Sequence, residues 1–134
     1  RVLIQTRSPE HPAVKTAQTH DVRGFIKHEL EVRKEVGYPP YTHVALVRLE
    51  GMNENEVAHE ARRIAEIAEK VDPRVEVLGP APAPHARLRN RYRFRFMLRC
   101  ESRGPLRQVL LQVARAPLNR RVRLSLDVDP MSML

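Results

Sequence analysis

The chain has 134 residues, of which 30% are charged, and a net charge of +8; this composition is typical of a globular domain and excludes a disordered chain. No apolar run approaches the roughly 18 residues of a membrane span, and no segment has a signal-peptide pattern. The single cysteine, Cys100, excludes an internal disulfide and a cysteine-based zinc site, and favours a reducing compartment.

The positive charge is concentrated in the second half of the chain. Residues 1–76 contain 12 Lys or Arg and 13 Asp or Glu, whereas residues 77–134 contain 12 Arg, no Lys and three acidic residues. Because Arg presents a planar fork of donors that suits phosphates and carboxylates, this half predicts a polyanion or an acidic peptide as partner. The alternative is a solvated basic surface in a genome that favours Arg codons.

The chain opens with a predicted short strand. Arg1–Thr6 contains three consecutive apolar residues, as in a strand buried on both faces. The chain has no room for a parallel sheet around it and does not begin with methionine. We therefore expect a piece of a longer protein.

Two helices are predicted next. The first covers Pro12–His20, with proline at a permitted early position. Asp21 is a suitable N-cap for the second, which runs to about Val36. Gly37 and the following Tyr38-Pro39-Pro40 end it, and we interpret this helix as a connector between domains.

From Tyr41 onward the pattern predicts a β-α-β-β-α-β order. The predicted strands are Thr42–Glu50, Val75–Leu78, Tyr92–Cys100 and Arg121–Val128, and the predicted helices are 54–71 and 104–116. This order indicates an α+β fold of the ferredoxin-like, split βαβ type. Right-handed crossovers would place both helices on one face of a four-stranded antiparallel sheet and leave the other face open.

Arginines alternate with core residues along the third predicted strand. Tyr92, Phe94, Phe96, Leu98 and Cys100 are predicted to point inward, and Cys100 to be a small buried hydrophobe. A spacing of two places outward guanidinium groups about 7 Å apart, close to the phosphate repeat of a nucleic-acid strand. The predicted phosphate-contacting residues are Arg87, Arg89, Arg91, Arg93, Arg95 and Arg99, with Arg121 and Arg123 on the last strand.

The same arginines could instead pair with acidic residues or pack on a neighbouring domain. Because the aromatic residues point inward, backbone recognition is favoured over base stacking, although a register slip of one residue would reverse this. The proline-containing loop predicted over Gly79–Arg91 is either a stiff connection or a rigid arm that projects basic residues.

The chain is predicted to have no catalytic function of its own. It contains no phosphate-cradling glycine loop, nucleophile elbow or paired catalytic carboxylates. Asp127 and Asp129 could bind Mg²⁺, but no third acidic ligand lies nearby, so pairing with Arg or capping of the chain end is favoured. None of the histidines has a metal-ligand spacing, and no cofactor is predicted for this chain.

Four stretches together resemble the C-terminal end of the bacterial replication-restart helicases, the PriA or primosomal replication protein N-prime family. The stretches are Gly37-Tyr38-Pro39-Pro40-Tyr41, Leu78-Gly79-Pro80-Ala81-Pro82 continuing to Arg91-Tyr92-Arg93, Asp127-Val128-Asp129-Pro130, and Arg1-Val2-Leu3-Ile4-Gln5-Thr6 followed by Pro9-Glu10-His11-Pro12. They occur in the family's order and cover essentially the whole chain.

The resemblance implies a parent protein that is an ATP-dependent 3′-to-5′ DNA helicase of the bacterial cytoplasm and nucleoid, with ATP, Mg²⁺ and structural zinc bound upstream of this chain. It implies partners that include forked DNA, other primosome proteins, the upstream helicase lobes and the acidic tail of single-stranded DNA-binding protein (SSB), and no membrane. Arg103 and Arg107 are the candidates for contacting that tail. The implied division is a helicase-lobe tail over 1–20, a connector over 21–40 and a binding domain over 41–134.

Overall fold

The computed structural model describes residues 2–131. The chain divides into two compact units, one that ends at Tyr41 and one that begins at Thr42.

The first unit contains two helices, α1 (Pro12–Gln18) and α2 (Val22–Glu35). Asp21 is the N-cap of α2, because its Oδ1 accepts a 2.9 Å hydrogen bond from the Gly24 amide. Gly37 follows α2 with a φ of +63°, the left-handed conformation that suits glycine at a helix end. The predicted start and end of this helix are therefore confirmed.

The predicted N-terminal strand is wrong for the described residues 2–6, which form no strand. Val2, Leu3 and Ile4 are instead exposed, with Val2 and Leu3 each 87% accessible. A strand requires a hydrogen-bonded neighbour, and all the strand pairing of the described residues lies in the second unit. Arg1 lies outside the described residues.

The second unit is an α+β domain with the predicted order of elements. Its strands and helices are β1 (His43–Gly51), α3 (Glu54–Val71), β2 (Glu76–Leu88), β3 (Arg91–Cys100), α4 (Arg103–Arg115) and β4 (Val122–Val128). The strands form an antiparallel sheet in the order β2-β3-β1-β4. This is the arrangement of a ferredoxin-like fold.

The core lies between α3, α4 and one face of the sheet. Inward residues of β1 and β3, among them Leu49, Phe96 and Leu98, pack against Ile64 of α3 and Val109 of α4. All five are at most 1% exposed. Helix α3 begins at Glu54 because the Asn53 side chain accepts a hydrogen bond from the Glu56 amide. The core face of β3 agrees with the prediction, and Cys100 is buried on it as predicted.

Strand β2 is the main difference from the predicted elements. The sequence predicts a strand that ends at Leu78 and a loop to Arg91, whereas the strand continues to Leu88 and forms a hairpin with β3. The prolines are accommodated because β2 is an edge strand, which needs backbone donors on one side only, and because its pairing is interrupted by two register shifts. The hairpin turns at Arg89 and Asn90, both of which have positive φ.

Two carboxylates are nearly inaccessible and are held by arginine. Arg63 donates a 2.7 Å hydrogen bond to Glu60, which also accepts one from the Asn119 amide, so the pKa of Glu60 is lowered. Asp72 follows α3 and accepts hydrogen bonds from the side chain and the backbone amide of Arg74. These bonds lower the pKa of Asp72 to about 2.

Candidate nucleic-acid interface

The face of the sheet opposite α3 and α4 carries five of the eight predicted phosphate-contacting residues, which are Arg91, Arg93, Arg95, Arg99 and Arg123. Register partners define its rows, which run across β3, β1 and β4. From one end of the sheet to the other, the rows are Arg99 and Val44; Met97, Leu46 and Asp127; Arg95, Arg48 and Ser125; and Arg93, Glu50 and Arg123. The alternation of β3 therefore places Arg93, Arg95 and Arg99 on one face, as predicted.

This face is only partly open, which corrects the expectation of a fully open one. Val44 and Leu46 lie on it and are 1% and 2% exposed. Their register partners on β3 are Arg99 and Met97, whose long side chains can cover apolar surface. The more exposed part of the face is the other half, which contains Arg48 of β1, Arg93 of β3 and Arg123 of β4.

Four of the predicted arginines contact carboxylates, and three of them belong to β3. Arg99 donates two hydrogen bonds to Glu76 of β2, at 2.8 and 2.5 Å. Glu50 lies between two others, with Oε2 3.7 Å from Nε of Arg93 and Oε1 3.9 Å from Nη1 of Arg91. The alternative that these cations pair with acidic residues is therefore correct for part of the set.

Arg95 has a different environment. Its Nη1 is buried and has no hydrogen-bond partner among residues 2–131. Its register partner on β1 is Arg48, another guanidinium, and Arg48 in turn approaches Asp127 at 3.9 Å. Arg48 is not among the predicted phosphate-contacting residues, although its place in the alternation of THVALVRLE indicates this face.

Arg87 and Arg89 do not join the β3 arginines. Arg87 is the register partner of Tyr92, which belongs to the core-facing series, and its guanidinium lies 5.4 Å from the centre of the Tyr92 ring. It also donates a 2.8 Å hydrogen bond to Asn90. Arg89 lies in the hairpin turn with a φ of +50°. The two-residue turn pairs Leu88 with Arg91 and Arg87 with Tyr92, so odd-numbered residues at this end of β2 lie opposite even-numbered residues of β3. Arg87 therefore does not share a face with Arg93.

A second basic group lies at the end of the sheet where β4 begins. Arg91, Arg120, Arg121 and Arg123 line a groove of about 520 Å³ together with Glu56. Arg121 approaches Glu56 at 3.2 Å, so that its side chain lies toward α3. Arg120 was not selected from the sequence because it precedes the strand and no periodicity placed it.

Arg103 and Arg107, the candidates for partner contact, are exposed in the first turns of α4. A spacing of four residues places them on the same side of the helix. Arg103 Nε lies 3.4 Å from Nδ1 of His43, and Arg103 Nη2 lies 3.9 Å from Asp129. These contacts place Arg103 at the end of the sheet where β1 begins, away from the groove beside Arg121.

The described residues contain no group of three or more His, Cys, Asp or Glu side chains positioned to hold a metal ion. Asp127 and Asp129 approach Arg48 and Arg103, respectively, which agrees with the predicted pairing with arginine. None of the helices between residues 2 and 131 has the length and apolar character needed to cross a membrane.

Comparison with known proteins agrees with the four sequence stretches. The family model described as the primosomal protein N C-terminal domain, PriA_C, matches residues 34–131. The chain belongs to this family. It is 39% identical to the replication restart protein PriA of Synechocystis over 99% of the chain, and 33% identical to that of Haemophilus influenzae over 98%. The PriA protein of Bacillus subtilis is 30% identical over 99%.

The chain spans only 16% to 18% of the length of these three relatives. Among solved structures, the de novo designed protein Foldit4 superposes with a TM-score of 0.54 over 68% of this chain and 99% of the design. At 14% sequence identity, this likeness concerns the fold alone. It carries no information on function.

Proposed function

We propose that this PriA_C domain binds the phosphates of forked DNA through the arginine-rich half of its sheet face, as part of a 3′-to-5′ replication-restart helicase. The observation that carries the proposal is the charge of the sheet face as a whole, where arginines outnumber carboxylates. The arginines are Arg48, Arg91, Arg93, Arg95, Arg99 and Arg123, and the carboxylates are Glu50, Glu76 and Asp127.

The chemistry of the face favours the backbone over the bases. Tyr92 faces Arg87, Phe94 packs against the core and Phe96 is buried within it. The rows of this face across β3, β1 and β4 therefore present guanidinium groups and no aromatic ring on which a base could stack. Guanidinium groups bind phosphate oxygens independently of the base sequence. Such binding weakens as the salt concentration rises, because the release of counterions from the DNA then contributes less to the affinity.

The test is the affinity of the 134-residue chain for a fork-shaped DNA across a range of salt concentrations. We expect the affinity to fall steeply with salt, and replacement of both Arg93 and Arg95 by Ala to weaken binding at every concentration. The matched control replaces Arg62 and Arg115, exposed arginines of α3 and α4, and removes the same charge from another surface. Salt-insensitive binding, or equal losses in the two double variants, would contradict the proposal.

We propose a second role for Arg103 and Arg107, which is to hold the acidic tail of SSB. The support is their shared side of α4 and their exposure. The test is to measure binding of an acidic tail peptide by titration, in parallel with the titration of fork DNA. Arg103→Ala with Arg107→Ala is expected to reduce peptide binding and to leave DNA binding close to that of the unsubstituted chain.

The alternative proposal is a protein-interaction domain that packs on helicase lobes or binds acidic peptides without contacting DNA. The pairing of Arg99 with Glu76, and of Arg91 and Arg93 with Glu50, favours it, because paired cations are less available to phosphates. Peptide binding without fork binding in the two titrations would select this alternative.

The proposed function also assigns a role to each part of the chain. We infer that residues 1–20 belong to the tail of a helicase lobe, 21–40 to a connector and 41–134 to the binding domain. Exposed Val2, Leu3 and Ile4 support this division, because an apolar patch of this kind is typical of a surface that meets another part of a protein. The parent would be a protein of the bacterial cytoplasm and nucleoid. It would use ATP and Mg²⁺, carry structural zinc outside this chain, and bind other primosome proteins.

A further inference from the structure

Strand β2 makes a wide bulge over the sheet face. Pro82 pairs with Phe94 and Arg87 pairs with Tyr92, so that residues 83–86 of β2 stand opposite Arg93 alone. The extra residues bring Ala83 and His85 beside the arginines of β1 and β3, where they line a cavity of about 140 Å³. This cavity is called the arch cavity below.

Apart from Leu49 of β1, the other residues that line the arch cavity are charged or polar. Arg93 and Arg95 come from β3, Arg48 and Glu50 from β1, and Ser125 from β4. Arg95, Arg48 and Ser125 form one row of register partners, so their side chains stand side by side across neighbouring strands. The cavity therefore collects guanidinium groups from two strands around a single carboxylate.

Arg95 Nη1 is the atom that points to a ligand. It is buried and has no hydrogen-bond partner among the described residues. Its neighbour across the strand is the like-charged Arg48, which adds repulsion. A buried donor on a charged group is costly when it is left unsatisfied, and an anion in the cavity would both accept its hydrogen bond and offset the repulsion.

The carboxylate of Glu50 does not satisfy the buried donor of Arg95. Its carboxylate oxygens lie 3.7 Å from Arg93 and 3.9 Å from Arg91, distances beyond the 2.7–2.9 Å of charge-assisted hydrogen bonds. It has no ion pair with Arg95 within residues 2–131. Asp127 also approaches Arg48, at 3.9 Å. Two carboxylates therefore stand against the three guanidinium groups of Arg48, Arg93 and Arg95, and the cavity keeps a positive balance.

The volume limits the part of a ligand that lies inside the cavity to one small anionic group. About 140 Å³ corresponds to roughly four or five water molecules in the liquid, which is space for one tetrahedral oxyanion and too little for a nucleoside. Guanidinium forks match the oxygens of phosphate, and the Ser125 hydroxyl is a further donor.

We propose that the arch cavity is a binding site for one phosphate group. The assignment rests on the proposed function only for the source of that phosphate, which would be a DNA backbone or a DNA end. The site itself depends on the geometry of β2 and on Arg95. Inorganic phosphate is therefore a sufficient probe.

The experiment is an NMR titration of the ¹⁵N-labelled chain with inorganic phosphate at constant ionic strength, with chloride as the reference anion. We expect saturable shifts at Ser125 and at the guanidinium of Arg95. Arg95→Gln is expected to weaken phosphate binding by about tenfold or more, since it removes a charge-assisted hydrogen bond. Arg62→Gln, on the exposed side of α3, is the control and should bind phosphate as the unsubstituted chain does.

A stability measurement covers the case in which Arg95→Gln changes the fold. Phosphate should raise the urea midpoint of the unsubstituted chain more than that of Arg95→Gln, because a ligand stabilises only the state that binds it. Shifts that do not saturate, or equal stabilisation of the two proteins, would overturn the proposal.

Competition with oligonucleotides then separates the sources. Stronger competition by a 5′-phosphorylated strand than by its 5′-hydroxyl counterpart supports a terminal phosphate, and equal competition supports the backbone. Phosphate binding that no oligonucleotide displaces would support the site and contradict the proposed DNA function. DNA binding by a chain that does not bind phosphate in the arch cavity would support the proposed DNA function and contradict the site.

Discussion

Replacement of Glu50 by Gln tests the charge of the sheet face directly, since it removes a negative charge and keeps the shape. Glu50 approaches Arg93 and Arg91, and its two register partners are Arg93 and Arg123. We therefore expect the Glu50→Gln chain to bind fork DNA more tightly than the unsubstituted chain.

The magnitude follows from Coulomb's law. A carboxylate about 7 Å from a bound phosphate repels it by roughly 0.6 kcal/mol in water, so its removal is expected to raise the affinity about threefold. If the released Arg91 or Arg93 gains one phosphate contact, the slope of log K against log salt steepens by about 0.9 on duplex DNA. The side chains of Glu50, Arg91 and Arg93 are about one-third exposed, so loss of their ion pairs should lower the free energy of unfolding by only about 1 kcal/mol.

Fluorescence anisotropy of labelled fork DNA between low and moderate salt provides both the affinity and the slope. Glu66→Gln is the matched control, because Glu66 is exposed on α3 and lies away from the sheet face. Affinity that falls in Glu50→Gln, or a gain of equal size in Glu66→Gln, would refute the reasoning and favour the interaction domain without DNA contact.

The remaining predictions concern stability. Gly51→Ala should lower the free energy of unfolding by about 1–3 kcal/mol in urea, because the new Cβ would lie 2.8 Å from Cγ2 of Val57. Gly104→Ala should raise it by about 0.5 kcal/mol, since nothing lies within 4 Å of a Cβ there. The pKa of Asp72 is lowered to about 2 by Arg74, so its stabilisation is present above the unfolded pKa of about 3.9 and is lost as the pH falls toward 2. The stability difference between Asp72→Asn and the unsubstituted chain should therefore narrow over that range; a difference that is constant with pH would contradict this assignment.

Much of the fold follows from local chemistry in the sequence. The Asp21 and Asn53 caps fix where α2 and α3 begin, and the alternation of β3 fixes which of its residues face the core. These signals are local, because they depend on residues a few positions apart. The apolar run at Val2, Leu3 and Ile4 misleads, because burial of a strand depends on a partner strand that a local pattern does not reveal.

The hairpin shows the limit of local reasoning most clearly. Pro80, Pro82 and Pro84 indicate a loop, yet pairing with β3 extends β2 through them. The register is set by contacts between strands and by the turn at Arg89 and Asn90. Sequence alternation therefore identifies the β3 arginines but not their acidic partners on other strands, and it cannot place the arch cavity.

The prolines of β2 also determine how the sheet can be extended. Strand β2 forms one edge and β4 the other. Each proline lacks a backbone N–H, so an added strand at the β2 edge could not form a continuous ladder. Strand β4 (Val122–Val128) has no proline and keeps its outward donors. An extended peptide that joins this sheet by strand addition would therefore do so beside β4, next to Arg123, and not beside the bulged hairpin.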